Sequence, residues 1–385
     1  MATFVYPYQQ YGGVWNLTSQ SQAQGAGTWP QFKLFAWGSG GSGQLGLGNR
    51  TNYSSPKQVA SGSIWSTSQV ASGNDYDTAA VENGSLWAWG QNESGQLGLG
   101  NTTYYSSPKQ VGALTNWKYV YLNYPFTMAI KTDGTLWAWG GNSSGQLGLG
   151  NITSYSSPKQ VGALTNWASL ALSNAPFVAA TKTDGTLWTW GNNSNGQLGL
   201  NNRTNYSSPV QVGALTNWLK VSCGYRFLMA IKTDGTLWGW GDNTNGEVGL
   251  PSLINYSSPK QVGALTNWKS VSNGQYFTLA LKTDGTLWFW GDNFNGNSGN
   301  NVSGNAYSSP TQVGSLTSWS SVTAGPSQSA AIKNDGTLWM WGKNQQGQLG
   351  LGNRTSYSIP KQIGTLSGWL SVSCSTYNTA AIAVF

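Results

Sequence analysis

Seven Trp-Gly pairs recur along the chain, at Trp37, Trp89, Trp139, Trp190, Trp240, Trp290 and Trp341, and each closes a strand-like run. The steps between them are 52, 50, 51, 50, 50 and 51 residues. A period near 50 with strand signals inside every unit specifies an array of β units, none able to bury its own apolar faces alone. Seven such units fill most of a 385-residue chain, the usual size of a seven-bladed ring. The expected architecture is all-β: a seven-bladed β-propeller over residues 33–385, with an uncharged extension over 1–32. Such a ring hosts unrelated activities, so its function has to come from particular residues.

Residues 126–175 show how one unit is built. Phe126 to Lys131 reads as a strand, Asp133-Gly134 as a tight turn with both residues at positive φ, and Thr135 to Trp139 as the return strand. Trp137 and Trp139 share one face of that strand, Leu136 and Ala138 the other. Both faces are apolar, as blade-on-blade stacking requires. A polar loop, 141–157, follows, with Leu147 and Leu149 placed to pin it down. Pro158 to Val161 begins a further strand, Ala163 to Asn166 turns the chain, and Trp167 to Leu172 forms the next strand.

The two ends complement each other. Residues 379–385, Thr-Ala-Ala-Ile-Ala-Val-Phe, match the strand 127–131 but are not followed by a Trp strand. Lys33 to Gly38 is a Trp strand with no partner before it. Pairing them closes the ring through one composite blade and removes the exposed sheet edges of an open array.

Only 8% of residues are charged, while 13% are aromatic, so the chain can pack a core and must stay soluble through Asn, Ser, Thr and Gln. The net charge of +7 is spread over the repeats rather than gathered into a stripe or an arm, which argues against nucleic acid. Lys131, Lys182, Lys232, Lys282 and Lys333 precede Asp-Gly turns, and Lys57, Lys109, Lys159, Lys260 and Lys361 follow a Pro. Both sets read as solvated rings. No run approaches the length of a membrane span, so no membrane insertion is expected, and the N-terminus lacks the basic and apolar regions of a secretory leader.

The usual carriers of chemistry are absent or committed elsewhere. There is no His, so no Ser has an imidazole to activate it, and Cys223 and Cys374 alone make neither a disulfide framework nor a metal site. Asp133, Asp184, Asp234, Asp284 and Asp335 occupy turns, and Asp75 with Asp77 reads as a solvated pair. Gly-Asp-Asn-x-Asn-Gly at 241–246 and 291–296 is out of register for a calcium loop. Neither a catalytic site, nor a metal, nor a cofactor is expected.

Binding is better supported. The Asp-Gly and Ala-Leu-Thr-Asn turns lie at one end of the ring and are almost constant between units. The turn before the Phe strand lies at the other end and varies, which reflects either drift in an exposed turn or recognition. Tyr121, Tyr124, Tyr225, Arg226 and Tyr276 fall in or beside it and form the candidate binding ring around one mouth. In residues 1–32, Tyr6, Tyr8, Tyr11, Trp15 and Trp29 call for burial, against the ring's own flank or as an anchor docking it onto a larger assembly.

The unit Asp-Gly-Thr-Leu-Trp-x-Trp-Gly-x-Asn-x-x-Gly-Gln-Leu-Gly, as in 133–148, resembles the regulator of chromosome condensation repeat over residues 33–385. The resemblance implies a seven-bladed propeller closed by its termini. Two loops depart from the pattern, Gly-Glu-Val-Gly-Leu-Pro at 246–251 and Gly-Asn-Ser-Gly-Asn-Asn at 296–301. The family's Gly-x-x-His-Ser turn has lost its His, replaced by Asp77, Phe126, Phe177, Phe227, Phe277, Gln328 and Asn378. That loss separates the chain from the family's nucleotide-exchange role on a small GTPase.

Near-identical segments such as 155–167 and 256–268 look most like repeat proteins of marine and cyanobacterial phages, where the setting is a component of the particle. The expected function is therefore a non-enzymatic virion protein of tail, fibre or capsid. It would bind other virion proteins through residues 1–32 and offer its ring to a host-surface protein or glycan. The alternative is a secreted or intracellular protein-binding module, an inhibitor or scaffold, of the same propeller family.

Overall fold

The computed structural model describes residues 32–60, 70–73, 76–173 and 175–384. The five aromatic residues of the candidate anchor, Tyr6 to Trp29, lie outside them. Seven antiparallel sheets of four strands each make up the described residues. In the third blade the strands run inner to outer as Trp117–Asn123, Phe126–Lys131, Leu136–Gly140 and Tyr155–Gln160. The inner strands of neighbouring blades adjoin one another around a central channel.

Closure is as the ends require. The first blade takes Tyr53–Gln58 and Phe32–Gly38 from one end of the sequence, and Asn378–Val384 and Trp369–Cys374 from the other. Phe32 pairs with Val384 and the register runs without a slip to Gly38 opposite Asn378. This is a seven-bladed propeller sealed by a composite blade.

The core lies between blades rather than within one. Trp137 and Trp139 pack back onto Ala79, Val81 and Leu86 of the second blade. Leu136 and Ala138 pack forward onto Val178, Ala180 and Trp190 of the fourth. The Trp of each Trp-Gly pair is buried, and all seven rank among the largest fully buried side chains. Its indole N–H usually donates across the blade boundary, as from Trp240 to the Gln197 carbonyl at 3.0 Å and from Trp139 to Gln96 at 2.9 Å. Leu147 is fully buried and Leu149 packs beside it, so the Gly-rich loop is pinned as its sequence suggests.

Three local expectations need correcting. The Asp-Gly hairpin is not a two-residue turn with both residues at positive φ. Only Gly134 is left-handed, at φ 77°, and its N–H donates to the Lys131 carbonyl at 3.0 Å. Asp133 instead caps the return strand, its carboxylate accepting the Thr135 N–H and hydroxyl at 2.9 and 2.7 Å. These bonds hold its carboxyl below the ordinary carboxylate range. The second blade does make the two-residue turn, with Asn83 and Gly84 at φ 48° and 80° and Glu82 opposite Ser85.

The outer strand begins at Tyr155, before Pro158 rather than at it, and slips register between Tyr155 and Lys159. The missing Pro158 donor is accommodated in that slip.

The third correction concerns the lysines before the Asp-Gly turns, which are not solvated. Lys131 lies 3.7 Å from the Trp137 ring centroid and 4.9 Å from that of Trp117, with 6% of its surface exposed. The same sandwich recurs at Lys182, Lys232, Lys282 and Lys333. Burial lowers the pKa of the first four and the adjacent turn carboxylate opposes that shift. A desolvated cation over an indole face contributes about 1–2 kcal/mol. Lys232→Met therefore lowers unfolding stability by about that amount. A urea midpoint equal to that of the parent would show that the sandwich contributes nothing.

Candidate functional site

The varied turns join inner to second strands, and they ring one mouth of the channel. Each is tied to the residue after a Trp-Gly pair by one backbone bond, such as Asp242 N–H to the Arg226 carbonyl and Asp292 N–H to that of Tyr276, both 2.8 Å. Gly241, at φ 96°, permits this approach, because a Cβ there would sit 2.4 Å from the Arg226 oxygen. The scaffold thus fixes the backbone and leaves the turn side chains free to differ.

Three of the five candidate residues come together. The Tyr225 ring meets that of Tyr276, in the next blade, edge to face at 5.6 Å. The Arg226 guanidinium lies 4.7 Å over the Tyr225 ring. The Tyr225 N–H donates to the Gln275 carbonyl at 3.0 Å, joining the two turns. Burial raises the Tyr276 phenol, nearby Tyr225 adds to the shift, and Arg226 opposes it. Arg226 is exposed while both phenols are half-buried, a combination suited to gripping a partner.

The other two stand apart. Tyr124 donates its hydroxyl to Glu93, whose second oxygen accepts from Tyr104 at 3.2 Å, a separate cluster between the second and third blades. Tyr121 belongs to an inner strand, opposite Met128, and lines the channel instead of the rim. A pair that sequence reading passed over, Tyr76 and Tyr377, stacks at 5.4 Å across the boundary of the first two blades. Lys343 reaches within 6.0 Å of the Tyr377 ring. Both tyrosines precede the vacated His position, as Arg226 and Tyr276 do, so alignment of all seven units would have found them.

Below the mouth the channel encloses about 320 Å³, lined by Tyr121, Ser222, Cys223, Asn273 and Ser373 among others. Two of its hydroxyls join neighbouring blades: Ser222 accepts the Asn273 N–H at 2.8 Å, and Ser373 that of Ser72 at 2.9 Å. Burial raises both thiols, Cys374 to about 12, so neither supplies a thiolate near neutral pH. Among the described residues no three His, Cys, Asp or Glu side chains converge to hold a metal ion. The mouth offers aromatic faces and a guanidinium, and among the described residues it presents no activated nucleophile.

Among the described residues two carboxylates are buried: Asp77 is 1% exposed rather than solvated as its sequence suggests, and a second lies in a Gly-rich loop. Glu247, in the loop after the fifth blade's Trp-Gly pair, is 1% exposed. Burial pushes its carboxyl up to about 7, with Asp242 adding to the shift and Asn245 opposing it through its hydrogen bonds.

The ring matches solved structures over most of its length. Yeast RCC1 (Prp20), solved bound to Kap60, is 22% identical, with 92% of this chain and 89% of that chain covered at a TM-score of 0.81. Prp20p from Saccharomyces cerevisiae is 21% identical, covering 92% and 91% at 0.79. Human WBSCR16 is 21% identical, covering 91% and 98% at 0.81. At these identities the likeness speaks to fold. In sequence, the regulator of chromosome condensation (RCC1) repeat matches residues 33–80, 83–130 and 133–174, and the RCC1-like domain matches 173–384. With its units matched from residue 33 to 384, the chain belongs to the family of RCC1 repeat propellers.

Proposed function

We propose that this protein is a non-enzymatic recognition ring that binds another protein through the mouth carrying Tyr225, Arg226 and Tyr276. The observation that carries the reading is the contrast between the two ends. One end repeats the same lysine sandwich in five blades, while the other gathers an aromatic and guanidinium cluster across two blades. Tyr and Arg are the side chains that most often dominate interface energy. Protein binding is also what the solved relatives are described by: yeast RCC1 with Kap60, and Prp20p with Gsp1p and histones.

In its finer form the reading places the ring on a virion, as a phage tail, fibre or capsid-associated part, with residues 1–32 as attachment. The charge-poor, Asn- and Ser-rich surface and the near-identical units support that setting. A free extracellular or intracellular inhibitor or scaffold is the other setting. Fixed stoichiometry in purified particles supports the first, and a free monomer in culture fluid the second.

The binding face is tested by pull-down of partners followed by the double substitution Tyr225→Ala, Arg226→Ala. Loss of about 2–3 kcal/mol, roughly 30- to 150-fold in affinity, is expected for two anchors of this type. Affinity equal to that of the parent would clear this face of any role.

A further inference from the structure

The loops after six of the seven Trp-Gly pairs carry a buried amide at one position: Gln44, Gln96, Gln146, Gln197 and Gln348, with Asn297 in the sixth blade. The side-chain oxygen of each Gln accepts the N–H two residues earlier, at 2.8 to 3.0 Å. The amide nitrogen remains as a donor. From Gln348 alone it reaches the next blade's mouth turn, at the Thr376 carbonyl, 3.2 Å away; that of Gln197 turns back to Asn192 at 2.8 Å, and those of Gln44, Gln96 and Gln146 are buried with no hydrogen-bond partner among the described residues. In the fifth blade alone the position holds an acid, Glu247.

Glu247 keeps the accepting half of this arrangement. One carboxylate oxygen takes the Asn245 N–H and the other the Asn245 side-chain amide, both at 2.8 Å. Its backbone carbonyl accepts the Thr278 hydroxyl of the next blade at 3.0 Å, which fixes the loop against that blade. The donating half depends on a proton. The residue equivalent to Thr376 in the next blade's turn is Gln275, whose carbonyl accepts the Tyr225 N–H. A neutral acid can donate there as Gln348 does at its own neighbouring turn, whereas a carboxylate cannot and is repelled by a carbonyl oxygen.

Among the described residues, no cation is found acting on the Glu247 carboxyl. Asp242, in the same loop, opposes ionisation, and it is itself bonded to the Asn195 amide at 3.2 Å. Tyr276, from the next blade, feels the Glu247 charge, alongside Tyr225 and Arg226 of the preceding turn. The neighbouring glycines of the loop, Gly246 and Gly249, abut the uncharged Ser308 and Trp290.

We propose that Glu247 is a proton-binding positioning residue, which holds the Tyr225–Arg226–Tyr276 cluster in its described geometry when neutral and loosens it on ionisation. The inference concerns the ring alone, so it can fail without touching the binding reading above. The raised carboxyl gives the sign: its contribution to stability is full below pH 4.5 and is lost as pH climbs through about 7.

The test is an NMR pH titration of the full chain, following the Glu247 carboxyl carbon and the tyrosine rings from pH 4.5 to 8.5. Glu247 is expected to titrate near 7, with Tyr225 and Tyr276 tracking that midpoint and Tyr76 and Tyr377 remaining flat. E247Q, which restores the residue used in five other units, should fold and abolish the tyrosine response. A second variant, D242N, should move the midpoint down while keeping the response. A Glu247 midpoint near 4.5, tyrosines that ignore it, or a response that survives in E247Q would each overturn the proposal.

Discussion

Deletion of Asn378–Val384 abolishes cooperative folding of the entire ring. That strand is hydrogen-bonded on both sides, to Phe32–Gly38 and to Trp369–Cys374, so its loss opens two sheet edges at once. Ala380, Ala381, Ile382 and Ala383 are fully buried, and their removal uncovers the apolar faces of the second and seventh blades. An array whose blades bury their cores against one another loses a boundary at each side of the gap. The expected product lacks a sharp thermal transition and exposes strand edges that invite aggregation. Circular dichroism melts and size-exclusion chromatography check this. A truncated protein that melts with the parent midpoint as a monomer would show that the ring holds without its seal.

Trp240→Ala carries the next largest effect, a loss of about 3–5 kcal/mol. The indole is fully buried between the fourth and fifth blades, against Phe177, Leu187 and Leu198 on one side and Leu228 on the other. It meets Trp218 edge to face at 5.9 Å, and its N–H occupies the Gln197 carbonyl at 3.0 Å. Truncation leaves a cavity and an unpaired carbonyl together. The neighbourhood cannot collapse easily, because Gly199 is already pressed against the indole: a Cβ there would lie 2.6 Å from its nitrogen, at φ 73°. Denaturant unfolding measures the loss, and Trp240→Phe separates the terms by keeping most of the packing while orphaning the carbonyl. A midpoint for Trp240→Ala within error of the parent would mean that blade packing does not depend on this wedge.

The ring was legible in the sequence because one residue type at one spacing dictates it. Trp137 and Trp139 on one face, with Leu136 and Ala138 on the other, already demand neighbours on both sides, and those neighbours are found. The seal was legible for the same reason: residues 378–384 are a second strand lacking its third, and 32–38 a third lacking its second. The lysines were misread because charge alone suggests water, whereas strand register places Lys131 directly opposite Trp117 and beneath Trp137. The mouth was only partly legible. Spacing groups residues into turns but does not say which turns touch, so Tyr225 with Tyr276 was recovered, Tyr121 was placed on the rim although it lines the channel, and Tyr76 with Tyr377 was missed. Glu247 was visible as a break in a repeated motif, but its meaning required knowing that the position is buried against the next turn.

The composite blade bears on how such a ring can evolve. Its strands pair as those of every other blade do, so duplication or loss of one whole unit of the gene would leave both halves of the fastening intact. Recombination between near-identical stretches such as 155–167 and 256–268 yields that kind of change. What resists it is the angle each indole wedge sets between neighbours, which makes blade number a matter of geometry and leaves the joint itself indifferent to the count.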